Sequence, residues 1–188
     1  MSRLAAALLV GLWLGVPPQA PLAVRDLDGR AWNPLNPAAS DVNLVIFISA
    51  TCPISQRYSP EIDHILHDYG AKGVHAWLVY TDPKIDAATV RANLKEFHPS
   101  VTVPVIIDTG FRLTAAVDAK VTPEVAIYTR SGRVYRGRID DANEAIGQNR
   151  RTVAHHDLRD ALDAVLAGRP VANPDTKAIG CFIERDVK

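Results

Sequence analysis

The segment Leu44-Val45-Ile46-Phe47-Ile48-Ser49-Ala50-Thr51-Cys52-Pro53-Ile54-Ser55-Gln56-Arg57-Tyr58 decides how this chain is read. It opens with an unbroken apolar run rich in β-branched residues, the pattern of a strand covered on both faces. Beyond Cys52, the residues Ile54, Tyr58, Ile62, Ile65, Leu66 and Tyr69 recur at helical spacing, and Gly70 and Gly73 end the run. A thiol is thus expected where a buried strand hands over to a helix. Pro53 suits the first helical position because the N–H it lacks would be unpaired there, so Cys52 is expected as the N-cap. The first amides of a helix have no internal acceptor and, with the helix dipole, favour a thiolate, the form that attacks disulfides and peroxides. An inert buried cysteine is the competing reading.

Working outward, Val74 to Tyr80 reads as a second strand stopped at Asp82-Pro83, and Ala87, Val90, Leu94 and Phe97 mark a second helix ending before Pro99. Val101 to Ile107 reads as a third strand, with Pro104 implying an edge position or a bulge. Val125–Tyr128 and Val134–Ile139 flank Ser131-Gly132 as an antiparallel hairpin, and Leu158, Ala161, Leu162, Val165 and Leu166 define a last helix before Gly168 and Pro170. Upstream, residues 24–32 suggest a small hairpin about Asp28-Gly29, followed by a linker with Pro34 and Pro37. This order is that of a thioredoxin-like α/β fold, a central mixed sheet flanked by helices.

The 188 residues suffice for one compact domain, and with 47% hydrophobic residues a sizeable core is expected. Lys and Arg number 21 and so do Asp and Glu, so no overall field draws in nucleic acid, and none is expected as a partner. Residues 1–20 resemble a secretory signal peptide: Arg3 carries a positive charge, Leu4 to Val16 carry none, and Pro17-Pro18 end the run. That run is short for a span of about 20 residues, so cleavage near Ala20 or Ala23 is expected over an uncleaved anchor. The expected organisation is a leader over 1–20 and one domain over 21–188, exported to the periplasm or beyond, with no stable membrane insertion once the leader is removed. With only two cysteines, Cys52 and Cys181, the pair reads as chemistry or a single clasp and not as a disulfide framework.

Four segments, Thr51-Cys52-Pro53-Ile54-Ser55, Val121-Thr122-Pro123-Glu124, Tyr135-Arg136-Gly137-Arg138-Ile139-Asp140 and Thr176-Lys177-Ala178-Ile179-Gly180-Cys181, resemble the redoxin family. These are thioredoxin-like proteins of the peroxiredoxin and alkyl hydroperoxide reductase kind, in particular the exported bacterial type, and the resemblance spans roughly residues 22 to 184. It implies a thiol-dependent oxidoreductase in which Cys52 attacks a disulfide of a protein partner or a small hydroperoxide, without a cofactor. It also implies a cis proline at Thr122-Pro123 beside the active cysteine. Proline there would leave the backbone groups of Thr122 free to pair with an extended substrate chain.

The chain departs from that pattern in places. Ser55 stands where thioredoxins have their second cysteine; its hydroxyl can donate to a thiolate but cannot resolve a mixed disulfide. Ile46 replaces the buried acid of thioredoxins. Ser49 fits the threonine or serine that precedes a peroxidatic cysteine, whereas Val45 replaces the proline further upstream.

Cys181 would resolve an intermediate on Cys52 if the tail folds back over the helix start; a structural disulfide and two unrelated thiols are the other readings. The six histidines, His64 and His67 among them, read as solvated helix-face residues. Copper chaperones of this fold have a further cysteine where Gln56 stands, so no metal site is expected. Arg136 and Arg138, with Asp140 and Asp141, read as a charged strand end. Two hypotheses follow: a thiol oxidoreductase using Cys52 and Cys181, with Ser55, Thr122 and Pro123 holding the substrate, or a non-catalytic module for partner binding or copper delivery.

Overall fold

The computed structural model describes residues 22–39 and 41–185, so the expected leader over 1–20 lies outside the described residues. Its sheet is built on β3 (Val42–Ile48), the apolar run at the head of the deciding segment. β3 pairs in parallel with β4 (Val74–Tyr80) and antiparallel with β7 (Glu124–Thr129). With β5 (Val105–Ile107) and β8 (Gly132–Gly137) outermost, the strand order is β5-β4-β3-β7-β8. Every residue of β3 is buried, as expected of a central strand covered on both sides.

Alternation along β3 divides the core. Leu44, Ile46 and Ile48 pack with Ile62 and Ile65 of α1 (Pro53–Gly70), Val90 of α2 (Ala87–Phe97), and Leu158 and Leu162 of α4 (Asp157–Leu166). Val45 and Phe47 face the other way, onto Leu113 and Val117 of α3 (Arg112–Val117). Burying one such side chain stabilises the fold by roughly 1.5–3 kcal/mol.

The short hairpin of β1 (Val24–Arg25) and β2 (Ala31–Trp32) forms as the sequence predicts, with Gly29 at φ 82° in its turn. It covers the sheet edge, where the Leu27 N–H donates to the Val105 carbonyl (2.8 Å). β5 begins after Pro104 and is therefore shorter than the run from Val101 suggests.

Three elements were not expected from the sequence. Helix α3 is a single short piece whose first amides, at Arg112, Leu113 and Thr114, are capped from a distance by the Asp108 carboxylate. A small hairpin joins β9 (Asn143–Ala145) and β10 (Gln148–Asn149). Finally, β11 (Cys181–Phe182), in the tail, pairs antiparallel with β6 (Val121–Thr122).

Two surface readings are corrected. Asp140 and Asp141 are buried, not a solvated strand end: Asp140 accepts the Tyr58 hydroxyl, and Asp141 accepts the amides of Ala154 and His155. His98 is likewise buried, because it caps α2 with its ring turned under α1; its Nδ1 meets Asp63 at 2.6 Å and its Nε2 meets Ser59 at 3.3 Å. His64, His67, His75, His155 and His156 are exposed.

Candidate active site

Cys52 is the N-cap of α1, in an extended conformation at φ −88° and ψ 111°, and Pro53 takes the first turn. Its Sγ accepts the Ser55 N–H at 3.4 Å, the bond a serine or aspartate oxygen makes at this position in other helices. The Cys52 carbonyl accepts the first helical bond from Gln56 N at 3.1 Å. The sulfur is nearly sealed, with Cys52 only 1% exposed. Ser55 is buried directly below; its hydroxyl accepts the Ser49 N–H at 3.4 Å.

Thr122 lies across the sulfur, and the Thr122-Pro123 peptide is cis. The Thr122 carbonyl accepts the Cys52 thiol at 3.1 Å. The backbone of Thr122 is not free for a substrate chain, which corrects the sequence expectation: Cys181 occupies it, in register across the β6–β11 ladder. The two thiols are therefore neighbours at Thr122, and neither is in a disulfide.

The tail is fastened on both sides of Cys181. Upstream, the Arg136 N–H donates to Pro174 O (2.8 Å), the Thr176 N–H donates to Arg136 O (3.0 Å), and the Tyr135 hydroxyl meets Thr176 Oγ1 at 2.7 Å. Downstream, Ile183 N donates to Lys120 O (3.0 Å), and the Arg185 guanidinium reaches the Ala119 carbonyl. At Gly180 the tail passes so close to β6 that a Cβ would collide with the carbonyl group of Thr122.

The two sulfurs are electrostatically unlike. Burial alone would raise the Cys52 pKa, but the Cys181 thiol, the Ser55 amide, Thr122 and the Ser55 hydroxyl together hold it below the ordinary cysteine value. Cys181 is pushed up to about 11, first by burial and then by the hydrogen bond and negative charge of Cys52, against a lowering contribution from the Ile54 amide. Of the two, Cys52 gives up its proton the more readily.

A cleft of about 210 Å³ opens beside them, lined by Thr51, Cys52, Asp82, Thr122, Cys181 and Phe182 among others. In the sequence Asp82-Pro83 reads only as the stop after β4, yet Asp82 lines this cleft. Its carboxylate accepts the Ser49 and Thr51 hydroxyls and the Ala50 amide (3.1 Å), fixing the loop that delivers Cys52. The signal was its place at the carboxyl end of a parallel strand, where sites in open α/β sheets gather.

Glu124 turns away from the sulfur to cap the amides of Lys120 (2.7 Å) and Val121 (3.2 Å). Arg136 and Arg138 are held by Asp118 (3.1 Å) and Asp157 (2.7 Å) and stay out of the cleft. Among the described residues, no three His, Cys, Asp or Glu side chains converge as a metal ion would require, and no helix is long and apolar enough to cross a membrane.

No protein-family model and no curated protein matches the sequence. Solved structures do. An uncharacterized conserved protein of Geobacillus kaustophilus is 26% identical, with 90% of each chain covered and a TM-score of 0.76. A hypothetical protein of Sinorhizobium meliloti 1021 is 28% identical over 90% of this chain and 93% of its own, with a TM-score of 0.75. A thioredoxin-like protein of Aeropyrum pernix, 15% identical, superposes over 62% of this chain and 80% of its own with a TM-score of 0.52. The parallel β3–β4–β5 unit, the antiparallel hairpin beside it and this last likeness together give the chain a thioredoxin-like fold.

Proposed function

We propose that this chain is a thiol–disulfide oxidoreductase whose redox couple is Cys52 and Cys181. The observation that carries the reading is the pair itself: two neighbouring thiols, one held below and one above the ordinary pKa, at a helix N-terminus beside an open cleft. In exchange with a partner disulfide, the Cys52–Cys181 bond forms, the partner's S–S bond breaks, and two electrons and two protons pass to the partner's thiols; the reverse oxidises a partner dithiol. Cys52 is the sulfur that carries negative charge as attacking or leaving group, stabilised by the Ser55 amide. Thr122 and Pro123 set the strand that holds Cys181. Ser55 does not replace a second motif cysteine; the tail supplies one.

A small hydroperoxide is the second reading, supported by the modest size of the cleft. Attack by Cys52 would release an alcohol and leave a sulfenic acid, which Cys181 would condense to the disulfide with loss of water. Disulfide exchange is favoured over it because the Ser49 hydroxyl is committed to Asp82 and not to the sulfur. The charge-free run of residues 4–16 supports an exported protein, where such a couple meets disulfides.

The test compares wild type with Cys52→Ser and Cys181→Ser in the reduction of bis(2-hydroxyethyl) disulfide and, separately, of hydrogen peroxide. Loss of disulfide turnover in both variants is expected. Turnover equal to wild type in both variants contradicts the reading in favour of a partner-binding module, and peroxide turnover exceeding disulfide turnover shifts it to the second reading.

A further inference from the structure

The tail strand raises the question of which sulfur an outside partner meets. Cys52 is 1% exposed, whereas Cys181 is partly open to solvent. The edge of Thr122 where a partner strand would lie is filled by β11. Among the described residues nothing pairs with the other edge of β11, whose ladder has only two strands. Ile183 donates to Lys120 and Cys181 faces Thr122, so the alternation of an antiparallel ladder turns the N–H and C=O of Phe182 outward. The Phe182 side chain is 78% exposed at the rim of the cleft. A second groove of about 440 Å³ continues from there, lined by Ala50, Lys84 and Ile85 and sharing Thr51, Asp82, Pro83 and Glu184 with the first cleft.

We infer that the partner is an extended polypeptide segment carrying a cysteine, that it adds as a strand to the outer edge of β11, and that its sulfur joins Cys181, not Cys52. The inference rests on the redox couple proposed above. Backbone pairing at Phe182 gives the docking its affinity, and the aromatic side chain with the adjoining groove gives it an apolar anchor.

In the exchange step, the partner thiolate attacks the Cys181 sulfur of the oxidised couple. The Cys52–Cys181 bond breaks, its electron pair stays on Cys52 as thiolate, and a Cys181–partner disulfide forms, with no proton transferred. Accessibility and leaving-group strength agree on this direction, since the reachable sulfur is attacked and the better-stabilised one departs. The raised pKa of Cys181 makes the reduced form a slow attacker by the same path.

The experiment uses the wild-type chain, oxidised, and the peptide acetyl-Thr-Val-Cys-Val-Thr-amide, with an analogue N-methylated at both valines. Rapid quenching with iodoacetamide and mass mapping should place the peptide on Cys181 and the alkyl group on Cys52. The unmethylated peptide should react about tenfold faster, as loss of about 1.4 kcal/mol of backbone pairing requires. Peptide found on Cys52, or equal rates for the two peptides, overturns the inference while leaving the couple intact. If the oxidised chain contains no Cys52–Cys181 bond, the redox reading itself fails, and this inference falls with it.

Discussion

Cys181 stands directly opposite Thr122 in the β6–β11 ladder, and that register brings a thiol from the far end of the chain to the sulfur at the mouth of α1. In the proposed couple the second sulfur is thus set by strand pairing, where a thioredoxin would place it on the helix itself. Stability of the tail and reactivity of the couple are consequently linked.

Gly180→Val is expected to separate them. A branched side chain there meets the backbone of Thr122, which is part of a strand and cannot move aside cheaply. The overpacking should cost about 1–3 kcal/mol in urea unfolding. It should also lift β11 from β6, so that disulfide formation slows and iodoacetamide reaches Cys52 faster than in wild type. Unchanged alkylation of Cys52 would mean that the tail does not shield it.

Ser55→Ala removes one of the donors that hold the Cys52 pKa down while leaving the backbone amide in place. The pKa should rise, as expected for the loss of a hydrogen bond to a charged sulfur. Thiolate absorbance followed against pH measures this directly, and alkylation at neutral pH should slow accordingly.

The reduced protein should respond to alkali in a sense fixed by Cys181. Its folded pKa of about 11 lies above the ordinary value of 9.0, so between those pH values the unfolded chain has lost a proton that the folded chain keeps. Stability therefore falls as pH rises through that window. Cys52, shifted the other way, contributes stability that grows with pH up to its ordinary value and is lost as pH falls through its folded pKa. Urea unfolding of wild type against Cys181→Ala from neutral pH upward should show a steeper alkaline decline in wild type.

The Asp63–His98 contact, 2.6 Å long and continued to Ser59, ties the end of α2 to the middle of α1. Removing either partner leaves a largely buried polar group unsatisfied, so His98→Ala and Asp63→Ala should each cost about 2–3 kcal/mol. A double-mutant cycle should return a coupling of at least about 1 kcal/mol. The thiolate absorbance of Cys52 should not change, since this contact lies one turn or more below the N-cap.

The strand-to-helix junction was legible because both halves carry strong signals. The run from Leu44 to Ile48 has no polar interruption, and the residues from Ile54 to Tyr69 keep a helical period that buries them against it. Thr122-Pro123 was placed by resemblance, and its cis geometry and closeness to Cys52 agree with that. The tail strand was not legible, since a two-residue strand has no period and its partner lies elsewhere in the chain. Helix α3 escaped for a related reason: its cap is the carboxylate of Asp108 reaching over the intervening turn, not a residue at the helix start. Asp82 and His98 each end an element, so a reading by periodicity treats them as punctuation, although their side chains turn inward to anchor loops and helices.

The most direct test of the couple is peptide mapping after the wild-type chain is equilibrated in a glutathione redox buffer. A single intramolecular Cys52–Cys181 disulfide, forming and reversing with the buffer ratio, is the expected result. Two cysteines that take up glutathione independently, with no bond between them at any ratio, would contradict the account.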